Sequence, residues 1–236
     1  MALVSPFISY VFRDTVRNRT LLMLILTVLA AASAAILMTL GVLQGFRTML
    51  EEGERGWLGD IVISPRGEDS SIRPSDEIER RLAGMSEVES FATRSAALAG
   101  IQYKETLTVP LRTYGISPSS DKRVTWLSSK MIEGEYFSEN HSTDEVLLGK
   151  TLADNLVGIE DDGQSVRVGD TVSVLTTDGS RRAMRVRGIL DAKNFSPNEI
   201  LYMQKDDLER IDAGNRNAQI IVKLKTGQDA IQVRRT

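Results

Sequence analysis

The stretch DEVLLGKTLA, residues 144–153, holds the groups in this chain that come nearest to a chemical device. Gly149-Lys150-Thr151 after a short apolar run is how a phosphate-cradling loop ends, the lysine reaching the phosphates and the hydroxyl a magnesium ion. Such a loop also needs glycine at position 144, so that bare backbone N–H groups can face the phosphates. Position 144 is an aspartate, which would repel them, and Glu145, Val146, Leu147 and Leu148 favour a strand over a loop. A nucleotide site is not expected here.

The other reactive groups are few. His141 is the only histidine, set in the polar loop Glu139-Asn140-His141-Ser142-Thr143-Asp144, and there is no cysteine. Disulfides, thiolate zinc sites, iron–sulfur clusters and cysteine nucleophiles are thereby excluded. No nucleophile elbow, zinc-protease helix or spaced-aspartate calcium loop occurs. Glu160-Asp161-Asp162-Gly163 lacks the alternate ligand spacing of a calcium loop and reads as a turn. Arg181, Arg182, Arg185 and Arg187 form a basic cluster. Arg185 and Arg187 share one face of a strand, expected to be solvated while Met184, Val186 and Ile189 turn mostly inward. No catalytic, cofactor-binding or metal-binding residue is assigned, and no enzyme is expected. With 29 basic against 32 acidic residues, a nucleic-acid partner is not expected either.

Residues 21–43 read LLMLILTVLAAASAAILMTLGVL, without a charge, proline or amide. As a helix this run is roughly 35 Å long against a hydrocarbon core of about 30 Å, enough to span a bilayer with a modest tilt. Cleavage as a secretion signal after Ala34 would leave the greasy start AILMTLGVLQGF, so an uncleaved anchor is expected. Arg13, Arg17 and Arg19 precede the span, and Arg47 follows together with Glu51, Glu52 and Glu54. The positive-inside rule puts the N-terminus in the cytoplasm and the rest outside the cell membrane. Ser5-Pro6 followed by Phe7, Ile8, Val11, Phe12 and Val16 fits either a short interfacial helix or the start of the same long helix. Ala30/Ala34, Ala31/Ala35 and Gly41/Gly45 are small pairs four apart that let another helix approach.

Beyond the span, GFRTMLEEGERGW continues as a helix or stalk. Residues 60–65 form a strand stopped by Pro65, and Ser75 caps a helix over 75–82. Two strands follow at 88–103 and 107–114, Pro110 arguing for an edge position. After a break at IEGEYF, residues 132–137, come a strand at 145–148 and a helix at 151–156. A hairpin turns at Thr177-Asp178-Gly179-Ser180. A strand at 200–203, a helix at 206–211 and a strand at 218–224 complete the pattern. The fold class is α+β: one N-terminal transmembrane helix, then an extracytoplasmic core domain whose α/β subdomain is interrupted by a mostly β one.

The order of these pieces resembles the N-terminal half of a MacB/LolC/LolE-type ABC transporter permease. The resemblance rests on GVLQGF after the span, GDIVIS at 59–64, IEGEYF at 132–137, EVLLGKTLA at 145–153, VGDTV at 168–172 and VRGIL at 186–190. It implies a MacB-like periplasmic core domain without catalytic groups. The implied partners are an ABC ATPase subunit, a second permease subunit in a homo- or heterodimer, and a lipoprotein, lipid or peptide cargo. In such permeases the outer domain transmits ATP-driven motion to cargo. The domains then read as an interfacial segment (1–20), the transmembrane helix (21–45), a stalk (46–58), the core domain (59–228) and the start of a helix toward a missing second span (229–236). The family carries three further spans after this domain. The chain is therefore either a fragment of a permease or a single-span, membrane-anchored binding or scaffold protein.

Overall fold

The structure is a computed structural model that describes residues 19–66, 71–138, 144–156, 165–177, 179–193, 195–212, 217–228 and 230–233. The segment expected at the membrane interface lies outside them up to residue 18, as do His141 and the acidic turn at 160–163.

Helix α1, Arg19–Leu58, runs for 40 residues, roughly 60 Å. Nearly every side chain between Leu21 and Leu43 is exposed on it, an apolar surface on all faces of the kind that lipid covers. The hydroxyls of Thr27 and Thr39 each donate to the carbonyl four residues back at 2.8 Å, so neither asks for water inside an apolar medium. The chain divides into two compact units, the first ending at Leu50 and the second starting at Glu51.

The second unit is built around one long strand. Strand β1 is Ile61–Ile63, helix α2 Ser75–Gly84 and strand β2 the 16-residue Val88–Tyr103. Strand β3, Thr106–Ile116, leads into helix α3, Pro118–Val124, and strand β4, Met131–Gly134. Strand β5, Glu145–Gly149, runs into helix α4, Lys150–Asn155. Strands β6, Thr171–Thr176, and β7, Arg181–Leu190, form the expected hairpin, with Thr171 opposite Arg185 and Leu175 opposite Arg181. Helix α5, Phe195–Asn198, strand β8, Leu201–Gln204, helix α6, Lys205–Ile211, strand β9, Gln219–Leu224, and helix α7, Ala230–Val233, follow.

The first half of β2 pairs with β9, and β9 with β1. This antiparallel layer packs Ile220, Val222 and Leu224 against Leu82 and Ile78 of α2, and Ile221 against Val124 of α3. It is the α/β subdomain. The second half of β2 pairs with β3 on one side and β6 on the other. From β3 the pairing continues to β8, β5, β7, β6 and back to β2. Six strands thus close into a ring, which leaves them no free edge along that path.

The pleat decides what fills the ring. Ala97, Ala99 and Ile101 of β2 share an interior with Val146 and Leu148, Val172 and Val174, Met184 and Val186, and Leu201 and Met203. Each strand gives alternate residues, and Leu152 of α4 and Leu208 of α6 belong to the same cluster. At Pro110 the β2–β3 pairing jumps from Ala99↔Leu111 to Ile101↔Thr108. The proline, which has no N–H for the ladder, sits in this bulge, and β8 pairs only with residues 113–116. Ser75 proves to be the first residue of α2 rather than its cap, since Pro74 occupies the cap position.

The Gly-Lys-Thr segment has a packing explanation. The Gly149 N–H donates to the Ile200 carbonyl at 3.1 Å, so it is unavailable to a phosphate. Lys150 pairs with Asp154 one turn on, at 2.8 Å. A Cβ on Gly149 would lie 2.3 Å from the Asn198 carbonyl oxygen. Asn198 is fixed in turn by Asp191, whose Oδ1 accepts from the Asn198 amide at 3.0 Å and from the Lys193 N–H at 2.9 Å.

Two outcomes follow for the full chain in detergent. Gly149→Ala should cost about 1–3 kcal/mol of unfolding free energy through forced overpacking. Gly84→Ala, where a Cβ meets nothing within 4 Å, should stay within about 0.5 kcal/mol, both read by denaturant titration. Hydrogen bonds from the Lys193 side chain and backbone and from Asn198 hold the Asp191 carboxyl down at about 2. Its contribution is therefore complete above an ordinary aspartate pKa near 3.9 and lost as pH falls through about 2. Asp191→Asn should remove that part of the acid-induced loss of stability, seen by comparing melting temperatures of the two chains between about pH 5 and pH 2.

Candidate functional site

The last turn of α1 is built into the domain. Trp57 is 4% exposed. The Trp126 N–H donates to the Gly56 carbonyl at 2.8 Å, and the Trp126 indole lies where a Gly56 side chain would be, with Nε1 only 1.1 Å from the position of a Cβ. Leu58 packs beside Ala92, Val124 and Ile221. Gly59 ends the helix at a φ of +71°, its N–H donating to the Arg55 carbonyl at 2.9 Å. A Cβ there would also fall 2.6 Å from the Val222 carbonyl oxygen, so both conformation and space demand glycine. The Asp60 N–H donates to that same Val222 oxygen at 2.8 Å, and Asp60 Oδ2 accepts the Leu224 N–H at 2.9 Å. Residues 59–60 thus join the helix end and β1 to residues 222–224 of β9.

Beneath Trp57 lies a buried charge. Arg94 is 0% exposed, on β2 where that strand passes from the layer to the ring. Its Nε and Nη2 donate to Asp121 Oδ1 at 3.1 and 2.8 Å. Asp121 Oδ2 accepts from Thr125 Oγ1 at 2.8 Å and from the Tyr136 hydroxyl at 2.9 Å. The guanidinium carbon sits 5.5 Å from the Trp57 ring centre and 5.8 Å from that of Tyr114, within cation–π range. Trp57 meets Tyr114 edge-on at 5.8 Å, and Tyr114 stacks on Tyr202 at 6.5 Å. Burial works against the Arg94 charge, but the Asp121 carboxylate and its hydrogen bonds outweigh it and the pKa is raised. Burial first, then the Asp121 charge, pushes the Tyr136 phenol well up, so it stays a donor to Asp121. Burial raises Tyr202 likewise. Arg94 Nη1 is buried with no hydrogen-bond partner among the described residues.

The basic cluster on β7 is not simply solvated. Arg187 is half-buried, and its Nη1 donates to both carboxylate oxygens of Glu145 at 3.1 and 2.8 Å. Its Nε donates to the Tyr136 carbonyl at 3.1 Å, and Nη2 reaches Glu135 at 3.3 Å. The expectation of a solvated pair fails for Arg187 because the chain leaving β4 folds back over it. Arg185 is exposed as expected. Arg182 pairs with Asp144 at 2.5 Å, the residue that replaces the phosphate loop's glycine.

The Arg94–Asp121 pair was not singled out from the sequence. A signal existed in SFATRSAALAG: a lone cation between Ala92 and Ala96 on one face of a strand of small residues. Its partner, on another element, had no local mark.

The buried pair generates a double-mutant cycle. Asp121→Asn alone should cost about 3–5 kcal/mol by stranding the guanidinium. Adding Arg94→Met should recover a large part of this, because the charge to be matched is gone. Denaturant unfolding of the three variants measures the coupling. Equal, additive losses would remove the pair from its central place.

The fold has known relatives. A structure described as the periplasmic region of MacB from Actinobacillus actinomycetemcomitans superposes with a TM-score of 0.53 at 16% identity, over 77% of this chain and 82% of that one. The extracellular domain of the noncanonic ABC-type transporter YknZ from Gram-positive bacteria gives 0.53 at 17% identity, over 74% and 86%. No curated protein sequence matches the chain. The sequence profile of the MacB-like periplasmic core domain matches residues 22–236, and the chain belongs to that family.

Proposed function

We propose that this chain supplies the first membrane span and the outer domain of a permease subunit in an ABC transporter of the MacB or lipoprotein-releasing type. The N-terminus is cytoplasmic, residues 21–45 cross the membrane, residues 46–58 form the stalk and residues 59–228 the extracytoplasmic core. A separate ATPase subunit hydrolyses ATP, and a second permease subunit completes the dimer. The outer domain carries the resulting motion to a cargo, whether lipoprotein, lipid or peptide, without catalysing a reaction itself.

The single observation that carries this reading is the root of α1. A flexible tether would suffice to anchor a binding domain. Here Gly56, Trp57, Gly59 and Asp60 are locked into the core through backbone hydrogen bonds, close backbone approach and a buried aromatic. A helix held in this way turns a displacement of its end into a displacement of β9 and α3. The family membership and the transporters named for the two similar structures support the same direction.

The chain has no cysteine, so labels can be placed at will. With Ser128→Cys spin labels on the reconstituted assembly with its cognate ATPase, the distance between outer domains should change on ATP binding. Inserting two glycines after Glu54 should abolish that change while ATP hydrolysis continues. A chain that never associates with an ATPase, or distances indifferent to nucleotide, would move the protein to the alternative of a single-span binding or scaffold protein.

A further inference from the structure

We propose that the open edge of β2 at Glu89–Thr93 pairs with one extended strand of a partner protein, whose side chains alternate between apolar and acidic. The ladder sets which backbone groups face that edge. The Val222 carbonyl turns toward β1, where it accepts the Asp60 N–H, so Ile221 turns its groups toward β2. Ala92 lies opposite Ile221 and Arg94 opposite Gln219, and both commit their groups to β9. Those of Phe91 and Thr93 therefore face the other side. Strand β3 covers that side only from Ser95, opposite Gly115, onward. It goes no further, because Pro118 starts α3 and the Ser117 carbonyl accepts the Asp121 N–H at 2.9 Å. Among the described residues no backbone group pairs with Phe91 or Thr93 on this side. An edge left unpaired in this way is a template for a further strand.

A cleft of about 360 Å³ runs along this edge. It is lined by every consecutive residue from Val88 to Thr93, whereas a cleft over a sheet face would meet alternate ones. Leu82 and Ala83 of α2 wall it on the Phe91 side, and Ser120 and Arg123 of α3 on the Ser90 side. The surface is open to a partner. Ala83 and Arg123 are exposed, and Val88, Ser90, Phe91 and Thr93 are half-buried. From Glu89 to Thr93 the edge is about 14 Å long, room for a strand of roughly five residues.

The two walls select the strand. Successive side chains of an added strand point alternately toward α2 and toward α3. On the α2 side they meet Phe91 and Ala83, which apolar side chains would cover. On the α3 side they meet Arg123, which forms no ion pair with any described residue. Glu79 already accepts the Thr93 hydroxyl at 3.1 Å, and Glu89 pairs with Lys223 at 2.8 Å, so Arg123 is left to attract a carboxylate. A second copy of this chain does not fit. The α2 and α3 walls of two copies would meet before their β2 edges came within about 4.8 Å of each other. A lone extended segment enters where a walled edge cannot. Docking here is separate from the transport of a cargo and does not depend on an ATPase.

The test uses the full chain in nanodiscs, titrated with acetyl-Val-Asp-Val-Asp-Val-amide by calorimetry. Saturable binding is expected, with slower hydrogen exchange confined to residues 88–94. Two further peptides, methylated on the backbone nitrogens of the valines or of the aspartates, separate strand pairing from side-chain contact. One set of nitrogens points at β2, and its methylation should weaken binding at least about tenfold. The other set points away, and its methylation should leave binding unchanged. Arg123→Ala should weaken the aspartate peptide about threefold and leave acetyl-Val-Ser-Val-Ser-Val-amide unaffected. No saturable binding, or no protection at residues 88–94, overturns the site. Binding that ignores both methylation patterns, or suffers equally from both, overturns strand pairing. Equal or tighter binding of acetyl-Val-Lys-Val-Lys-Val-amide overturns the acidic assignment.

Discussion

Everything near the root of the helix depends on keeping one positive charge out of water. Arg94 is wholly buried, and an isolated guanidinium there would cost several kcal/mol. It is tolerated because Asp121 accepts two of its N–H groups and two aromatic faces cover it. Asp121 needs Thr125 and Tyr136 to fill its other oxygen. Each requirement recruits another element: β2 brings Arg94, α3 brings Asp121, the chain after β4 brings Tyr136 and the end of α1 brings Trp57. A purely apolar contact would tolerate sliding. This one fixes distance and direction together, because charge-assisted hydrogen bonds weaken steeply with misalignment.

The same strand explains why the α/β layer and the ring are one body. Strand β2 crosses from the layer to the ring without a break, and Arg94 stands at the crossing, pairing in the ladder opposite Gln219 just before Ser95 opens the pairing with β3 at Gly115. A hinge would need a short linker with few hydrogen bonds. The 16 residues of β2 have ladders on either side of the crossing instead. Ring closure adds to this, since β6 ties the far half of β2 to β7 and no strand of the six can peel away from a free edge.

Much of the element order was legible because it is written locally. Alternation in β6 and β7 and the Gly179 turn mark a hairpin, and 23 uncharged residues mark a span. The ring was not legible. Its closing pairings join Thr113 to Leu201 and Val146 to Val186, both parallel, and parallel pairs have no turn chemistry between them to announce register. The segment around Gly149 shows the limit from the other side. The glycine resembles a ligand-binding feature, yet what demands it is the Asn198 backbone, brought there by a loop that Asp191 ties together. A glycine records that something comes close without saying what. Arg187 misled for a related reason: position on a strand face gives direction, not the loop that later covers that face.

The root also constrains how the proposed function can work. Gly56 and Gly59 have opposite local effects, one removing a side chain so that Trp126 can seal the helix, the other ending the helix by a left-handed turn. Between them Trp57 lies over Arg94, and the partly buried Leu58 packs against both the aromatic cluster of Tyr114 and Tyr202 and the Ala92 and Ile221 side chains of the layer. Two adjacent side chains on one helical turn diverge by about 100° around the axis. A rotation of α1 would therefore move both side chains against packed neighbours at once. The Asp60 bonds to Val222 and Leu224 and the Gly56 bond to Trp126 hold the same turn from two further sides of the chain. The end of α1 is thus joined to β9 and to the segment after α3 by hydrogen bonds and packing together, and neither kind of contact has to stand alone.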